Sequence, residues 1–427
     1  MTKTKSVKEP ILHLVKRSSL PGWKAWIIRA LAILGGFIFI CIICCAELKT
    51  SPFLIIKYMF QGAFMTKTNT NVFFRDVAIL LMIALAVTPA FKMKFWNIGA
   101  EGQVLISAWA CTACMFYLGG KVSNDTLIFI MLLMSLLAGI VWAVIPAIFK
   151  AIWNTNETLF TLMMNYIALQ VTLYFIKVWV PTGTGSLSPL PYGNLPQIAG
   201  GDYLLSIIVS IIFTIAVFGY LKFSKHGYEI SVVGESVNTA RYIGISVKKV
   251  IIRTLVLSGA ICGVVGFLLA GGINHMVSDT TVGGRGFTAV LVSWLAQFNP
   301  LAMVFTSGIV VFLSNGTTKV MENYGIPNAF LAEVLTGIMF LIIIGCEFFV
   351  RYRVIFNKNI FSKKQKATVS CDSNSLHEQV TVSVDEATRS DSSNEDLLDK
   401  TESVLTDDDS TLVKSDISDV KANEEVK

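Results

Sequence analysis

Charged residues are scarce in this 427-residue chain, at 15% of the sequence. A soluble globular domain carries about 25% charged residues, so a protein of this size would have too few charges to solvate its surface. Hydrophobic residues make up 53% of the chain and are grouped in long blocks. The composition therefore excludes an ordinary soluble domain and predicts an all-α integral membrane protein with lipid as its main solvent.

Residues that carry catalysis or bind metals are also few. The chain has four histidines and contains neither His-Glu-x-x-His nor Gly-x-Ser-x-Gly. It also lacks Gly-x-x-x-x-Gly-Lys-Ser/Thr, the phosphate-binding loop of ATPases. Two Cys-x-x-Cys spacings, at Cys41/Cys44 and Cys111/Cys114, lie in apolar blocks and are interpreted as buried small residues. We therefore expect no enzyme activity, no catalytic residue, no metal and no cofactor in this chain itself.

Charge is divided unevenly along the chain. Residues 371–427 carry 16 acidic and 5 basic side chains, a net charge of −11, whereas residues 1–370 have a net charge of +17. The acidic stretch has no aromatic residue, and its composition cannot bury enough surface to fold. We predict a cytoplasmic basic segment over residues 1–25, a transmembrane domain over 26–350, and a cytoplasmic disordered tail, first basic and then acidic, over 351–427.

Long apolar runs predict about ten membrane helices, because a span needs about 20 such residues. The candidate spans are residues 26–46, 75–91, 98–118, 126–149, 157–180, 203–222, 251–272, 286–298, 300–316 and 330–350. The eighth and ninth are short, and we expect some spans to be tilted or broken. Residues 51–64 are expected either at the membrane interface or as an extension of the first helix.

Lysine and arginine cluster before the first, after the sixth and after the tenth candidate span. Ten spans place all three clusters on one side, which the positive-inside rule makes the cytoplasm. We therefore predict a multi-pass protein of the plasma or inner membrane with both termini in the cytoplasm. A change of two helices would keep this orientation.

Polar residues interrupt the apolar pattern at residues 97–103, where the third candidate span begins. One interpretation is a helix start, with Asn97 or Gly99 as the cap and Glu101 near the positive end of the helix dipole. The other is that Asn97, Glu101 and Gln103 face the bundle interior and line a pathway, because ionisable groups in a membrane are costly and often functional. The sequence leaves both interpretations open.

A second polar stretch begins the fifth candidate span. Asn154 and Glu157 have the spacing of a capping box. Thr158, Thr161 and Asn165 fall on one stripe of the helix. Such a stripe either bonds neighbouring helices or faces a polar substrate, and packing is the favoured interpretation for each residue taken singly.

Two further segments are marked by glycine. Residues 226–246 form a predicted cytoplasmic loop with a short helical core at 236–243, which is either an ordinary connection or a docking helix for a cytoplasmic partner. Residues 283–286 read Gly-Gly-Arg-Gly before a helix. That turn resembles an anion cradle, although it lacks the pattern of a phosphate loop.

These four segments, in this order, resemble the branched-chain-type permeases of ABC importers, and most closely the nucleoside and simple-sugar permeases of that group. The resemblance covers roughly residues 25–350, and the residues that carry it are 97–103, 156–158, 165–168, 234–245 and 284–289. Residues 290–298 depart from the family pattern, which is richer in Ala and Gly and ends in Leu-Gly. The acidic tail is not part of the pattern either.

The resemblance implies the permease subunit of an ABC importer, forming the translocation pathway for a nucleoside, with a purine nucleoside such as guanosine favoured. A simple-sugar permease is the alternative. Two other hypotheses are an ion-coupled secondary transporter using Glu101, Glu157 or Glu333, and a scaffold that acts through the acidic tail. The candidates for the substrate pathway are Asn97, Glu101, Gln103, Thr158, Thr161 and Asn165. The candidates for ATPase docking are Gly234, Glu235, Asn238, Arg241 and Gly244.

The implied partners follow from that assembly. A cytoplasmic ABC ATPase subunit would use ATP, and a second similar permease subunit would complete the pathway. An extracellular or lipoprotein substrate-binding protein would meet the outer face, where residues 181–202 form an irregular loop with four prolines and five glycines. Membrane lipid is expected around the helices, and nucleic acid is not an expected partner.

Overall fold

The structure is a computed structural model. It describes residues 12–16, 22–180, 187–196, 203–324 and 352–356, with isolated helical positions at 334, 337, 338, 341, 342 and 345. Across this part the regular secondary structure is helical except for two short strands, β1 (Leu12–Lys16) and β2 (Tyr352–Phe356), which pair antiparallel. This pair is not predicted from the sequence. Residues 371–427 lie outside the described residues, and their disorder stays a prediction.

Twelve α-helices follow one another between the strands in the described residues. They are α1 (Gly22–Leu48), α2 (Pro52–Phe64), α3 (Lys67–Lys92), α4 (Ala100–Leu118), α5 (Asn124–Trp153), α6 (Glu157–Trp179), α7 (Leu204–Phe223), α8 (Lys225–Glu235), α9 (Val237–Tyr242), α10 (Val247–Phe267), α11 (Arg285–Leu295) and α12 (Pro300–Asn323). A π-helical segment, Leu268–Asn274, continues α10. Residues 51–64, left open by the sequence, thus form a helix of their own.

Six helices in the described residues are long and apolar enough to cross a membrane: α3, α5, α6, α7, α10 with its π-helical extension, and α12. Each of the first nine candidate spans falls on a described helix, whereas the tenth, residues 330–350, lies almost wholly outside the described residues. A multi-pass membrane protein is therefore confirmed, and the total of ten spans stays a prediction.

Helix α3 lies at the centre of the described bundle. Every residue from Ala78 to Phe91 is buried, and the helix packs against α7, α10, α11 and α12. The one hydroxyl within this buried run, on Thr88, donates to the carbonyl of Ala84 at 2.7 Å and shares a 2.9 Å hydrogen bond with Ser293 of α11. A polar group in this apolar centre is therefore paired, as its desolvation cost requires.

The outer helices turn small or polar residues inward and large apolar residues outward. On α7 the buried positions include Ser206, Ser210 and Thr214, while Ile211 and Ile215 are exposed. Lipid tails are as apolar as isoleucine, so helices in a membrane associate by close packing and hydrogen bonds rather than by hiding apolar surface. The exposed apolar faces of this protein are accordingly suited to lipid.

Helices α5 and α10 meet at backbone distance. A Cβ atom at Gly259 would overlap the carbonyl oxygen of Gly139, and one at Gly139 would overlap that of Gly259. Ser135 adds a 2.6 Å hydrogen bond to the carbonyl of Gly263 across the same contact. Small residues at these positions let the two helices approach closely.

We expect Gly259→Val to push α5 and α10 apart and to destabilise the protein by about 1–3 kcal/mol. The measurement is the midpoint of thermal unfolding in detergent. Gly219→Val on α7 is the matched control, because apart from the adjoining residues and backbone of its own helix no described atom lies within 4 Å of its Cβ position. Equal midpoints for the two variants would contradict the packing described above.

Candidate functional site

A partly buried, non-helical segment joins α3 to α4. It spans residues 93–99, and the side chains of Phe95 and Asn97 within it are buried. Lys94 has a φ of 61°, in the left-handed region that non-glycine residues rarely adopt. Irregular backbone inside a membrane protein is tolerated only where the protein itself or a water-filled cavity satisfies its polar groups. The neighbouring side chains supply those partners.

Asn97 is fully buried and bonds in two directions. Its Nδ2 donates to Oγ of Ser258, in the middle of α10, at 3.1 Å. Its Oδ1 accepts from the backbone N–H of Gly99 and from Nε2 of Gln103, both at 3.2 Å. The buried Oε1 of Gln103 has no hydrogen-bond partner among the described residues. Asn97 thus connects residues 93–99, which we call the helix break, to α4 and α10.

Helix α6 supplies the remaining partners of the break. Asn165 Nδ2 donates to the carbonyl of Ile98 at 3.0 Å, and its Oδ1 accepts from the N–H of Gly102 at 2.9 Å. Thr161 Oγ1 accepts from the N–H of Ile98 at 3.3 Å and donates to the carbonyl of Glu157 at 2.8 Å. The predicted packing role of this stripe is confirmed for Thr161 and Asn165.

The start of α6 differs from the predicted capping box. Asn156 caps the helix, since its Oδ1 accepts from the N–H of Thr158 at 3.1 Å. Asn154 instead has a φ of 50° and ends α5, so the predicted pairing of Asn154 with Glu157 is wrong. Glu157 forms an ion pair with Lys150 at 2.8 Å. The half-buried side chain of Thr158 makes no hydrogen bond to a described residue.

Glu101 brings the first and fourth sequence motifs together. Its Oε1 accepts from the N–H of Gly284 at 2.8 Å, and its Oε2 accepts from the N–H of Gly286 at 2.6 Å. Gly284 has a φ of 74°, and a Cβ atom on Gly286 would overlap the backbone nitrogen of Glu101. The turn that resembled an anion cradle therefore binds an anion from its own chain, the carboxylate of Glu101.

Arg285, between those two glycines, reaches away to α3. Its Nη2 lies 3.1 Å from Oδ1 of Asp76, and Arg75 holds the same oxygen at 2.8 Å. Asp76 and Arg285 line a cavity of about 180 Å³ between α3, α11 and α12, with Ser314 and Asn315 on its α12 side. This pair is not predicted from the sequence, although an aspartate inside a candidate span is a recognised functional signal.

A second cavity of about 300 Å³ lies beside the first, and Asn315 lines both. Its other lining residues include Asn69 near the start of α3 and Lys319 and Glu322 near the end of α12. Both cavities are lined in part by polar side chains, and Asn315 lies between them. None of the pathway candidates named from the sequence lines either cavity.

The predicted docking loop is two short helices fixed to the bundle at one end. Gly234 of α8 is buried, and a Cβ there would overlap the carbonyl oxygen of Lys92 at the end of α3. Glu229 Oε2 accepts a 2.6 Å hydrogen bond from Nη2 of Arg253 on α10, which holds the pKa of that carboxyl below its ordinary value. Helix α8 is thereby anchored to α3 and α10.

The following helix, α9, points outward. It confirms the predicted helical core of the loop, and Ser236 caps it by accepting from the N–H of Thr239 at 3.2 Å. Four of the five docking candidates are exposed, whereas Gly234 packs inward. Tyr242 is 92% exposed. The exposed residues around α9 are Glu235, Val237, Asn238, Arg241, Tyr242 and Ile243. We refer to this set as the docking surface.

The described chain is thus a multi-pass helical bundle with a hydrogen-bonded helix break and two cavities that polar side chains line in part. The chain belongs to the family described as the permease component of the branched-chain amino acid transport system, whose profile matches residues 70–344. The resemblance identified from the sequence is thus confirmed. The chain is a transport subunit of a membrane permease and not an enzyme in its own right.

Three curated relatives are permease proteins of ABC transporters. A glucose permease protein of Haloferax volcanii is 28% identical over 367 residues, which cover 80% of this chain and 93% of the relative. A guanosine permease protein of Bacillus subtilis is 28% identical over 279 residues, 63% of this chain and 79% of the relative. A nucleoside permease protein of Lactococcus lactis is 24% identical over 330 residues, which cover 74% of this chain and 90% of the relative. No solved structure matches the chain.

We expect Glu101→Gln to destabilise the protein by about 1–3 kcal/mol, because one of the two glycine N–H groups would face an amide NH₂ in place of a carboxylate oxygen. The thermal unfolding midpoint in detergent measures the effect. Glu322→Gln removes a charge from a side chain that is 67% exposed and serves as the control. A midpoint as high as that of the control would show that the turn does not depend on the carboxylate.

Proposed function

We propose that the chain is the permease subunit of an ABC importer and forms the translocation pathway for a nucleoside, with a purine nucleoside such as guanosine favoured. The observation that carries this proposal is the similarity to the guanosine and nucleoside permease proteins, over 79% and 90% of their lengths. The glucose permease protein, aligned over 93% of its length, supports a simple sugar as the second candidate.

The proposed assembly contains the ABC partners that this family works with. An ATPase subunit docks on the cytoplasmic side, a second similar permease subunit completes the pathway, and a substrate-binding protein delivers the substrate outside. Both termini lie in the cytoplasm in this arrangement, as the positive-inside rule predicts. The docking surface then faces the ATPase.

In this proposal, four of the pathway candidates named from the sequence stabilise the structure around the pathway. Asn97, Glu101, Thr161 and Asn165 bond the chain's own backbone and so shape the helix break and the turn before α11. Switching between outward-facing and inward-facing states requires elements with two packed arrangements. Non-helical segments held by side-chain hydrogen bonds are suited to such a change, because their partners can be exchanged without unwinding a helix.

Uptake by the reconstituted complex tests the transport function. Proteoliposomes that contain this chain, its ATPase, its partner permease and its binding protein should accumulate labelled guanosine only when ATP is supplied. ATP-dependent uptake of glucose in place of any nucleoside would move the assignment to the sugar permeases. Uptake that persists without ATP and stops when an ion gradient is collapsed would instead establish a secondary transporter.

Charge reversal on the docking surface tests the ATPase contact. We expect Glu235→Arg to reduce co-purification of the ATPase at least about tenfold, because a like-charge or unpaired contact at an interface costs several kcal/mol. Ile243→Asp should have a similar effect by placing a charge in an apolar contact. Asp125→Arg reverses another exposed carboxylate, in the first turn of α5, and should leave co-purification unchanged. Full co-purification with both docking variants would refute the assignment.

A further inference from the structure

We propose that Asp76 is a substrate-selecting residue, whose carboxylate accepts hydrogen bonds from the vicinal hydroxyl groups of a sugar ring held in the cavity between α3, α11 and α12. The inference rests on the proposed import of a nucleoside or a sugar, and both carry such a hydroxyl pair. Four observations support it.

The first observation is the uneven pairing of the Asp76 carboxylate. All of its hydrogen bonds within the described chain converge on Oδ1, from Nε of Arg75 at 3.0 Å, Nη2 of Arg75 at 2.8 Å and Nη2 of Arg285 at 3.1 Å. Oδ2 accepts no hydrogen bond from a described residue. An ionised carboxylate has about four acceptor sites, so Asp76 retains strong acceptor capacity after its ion pairs are formed.

The second observation is the way in which the two arginines are held. The guanidinium of Arg75 lies 4.9 Å from the ring centroid of Tyr203, a cation–π contact that fixes it on the α7 side. Arg75 does not line the cavity, whereas Arg285 does. The ion pair with Arg75 therefore orients the Asp76 carboxylate from outside the cavity. The Arg285 guanidinium lies beside this carboxylate in the cavity wall, and only one of its five N–H groups is used in the described part of the chain.

The third observation is the opposite wall. Ser314 and Asn315 of α12 line the same cavity, are half-buried, and use no side-chain hydrogen bond with a described residue. A hydroxyl group of a sugar both donates and accepts. The carboxylate accepts from the hydroxyl pair, while the guanidinium, the amide and the serine hydroxyl can donate to it. This is a recognition set for a neutral polyhydroxyl ligand.

The fourth observation is access. The second cavity shares Asn315 with the first and is lined by residues near the start of α3 and the end of α12, which the predicted orientation places on the outer side. The side chains of Asp76 and Arg285 are 11% and 32% exposed. Charged groups within a membrane domain are costly and mark substrate paths when they face a cavity. A substrate released outside would therefore meet Asp76 early on its path.

Comparison of ribose analogues tests the proposal in the complete reconstituted complex. The binding protein is supplied saturated with guanosine or with 2′,3′-dideoxyguanosine, so that any remaining preference belongs to the membrane subunits. We expect the wild-type complex to transport guanosine at least about tenfold faster, since hydrogen bonds to a charged group discriminate by this amount or more. Asp76→Asn should bring the transport rates of guanosine and 2′,3′-dideoxyguanosine to within about twofold of each other, chiefly by slowing the transport of guanosine.

The control and the second variant separate selection from folding. Asp125→Asn removes an exposed acid outside the cavity and should keep the wild-type ratio. Asn315→Ala changes the opposite wall without touching the ion pair and should also lower the ratio. If Asp76→Asn does not assemble with the ATPase, Asn315→Ala decides the question alone.

The possible outcomes distinguish this inference from the proposed function. A wild-type ratio near one, or a ratio unchanged in an assembled Asp76→Asn complex or in Asn315→Ala, would overturn the selecting role while leaving nucleoside import intact. ATP-dependent transport of glucose alone would overturn the nucleoside assignment, and glucose with its 2-deoxy analogue would then replace the nucleosides in the same comparison. Absence of any ATP-dependent uptake would overturn both proposals.

Discussion

Every backbone N–H and C=O group within the hydrocarbon region of a membrane needs a hydrogen-bond partner inside the protein, because lipid offers none. Regular helices meet this requirement by themselves, whereas the segment between α3 and α4 and the turn before α11 do not. Asn97, Thr161 and Asn165 complete the first, and the Glu101 carboxylate completes the second. These bonds join α4, α6, α10 and α11, so the arrangement of the central bundle depends on them.

The same requirement separates two groups of polar residues. The first group, Asn97, Glu101, Thr161 and Asn165, uses its hydrogen bonds within the protein, mostly on backbone groups, and therefore has a structural explanation. The second group, Asp76, Arg285, Ser314 and Asn315, lines a cavity and retains donors and acceptors that the described chain does not use. Because residues of the second kind face a cavity with polar groups that converge on it, they are the stronger candidates for contact with a transported molecule.

Helix α3 contacts both the proposed substrate cavity and the segment beneath the proposed docking surface. Its Asp76 lies in the cavity wall, and the carbonyl of Lys92 at its other end packs against Gly234 below the docking surface. The intervening residues from Ala78 to Phe91 are all buried. A helix with such dense contacts moves as a unit with its neighbours, since protein interiors have little free volume. Its position between the two sites makes it the element to follow in other transport states.

Local patterns in the sequence determined the membrane class, nine helices at the candidate spans, the short helix α9 and the family, because hydropathy, periodicity and motif order do not depend on distant partners. Tertiary structure alone decided which polar groups meet. Glu101 bonds a glycine 183 residues away, and Asp76 pairs with an arginine 209 residues away. The structure also shows that Asn156, and not Asn154, caps α6. Such pairings follow from how helices pack, and one-dimensional spacing carries no information about that packing.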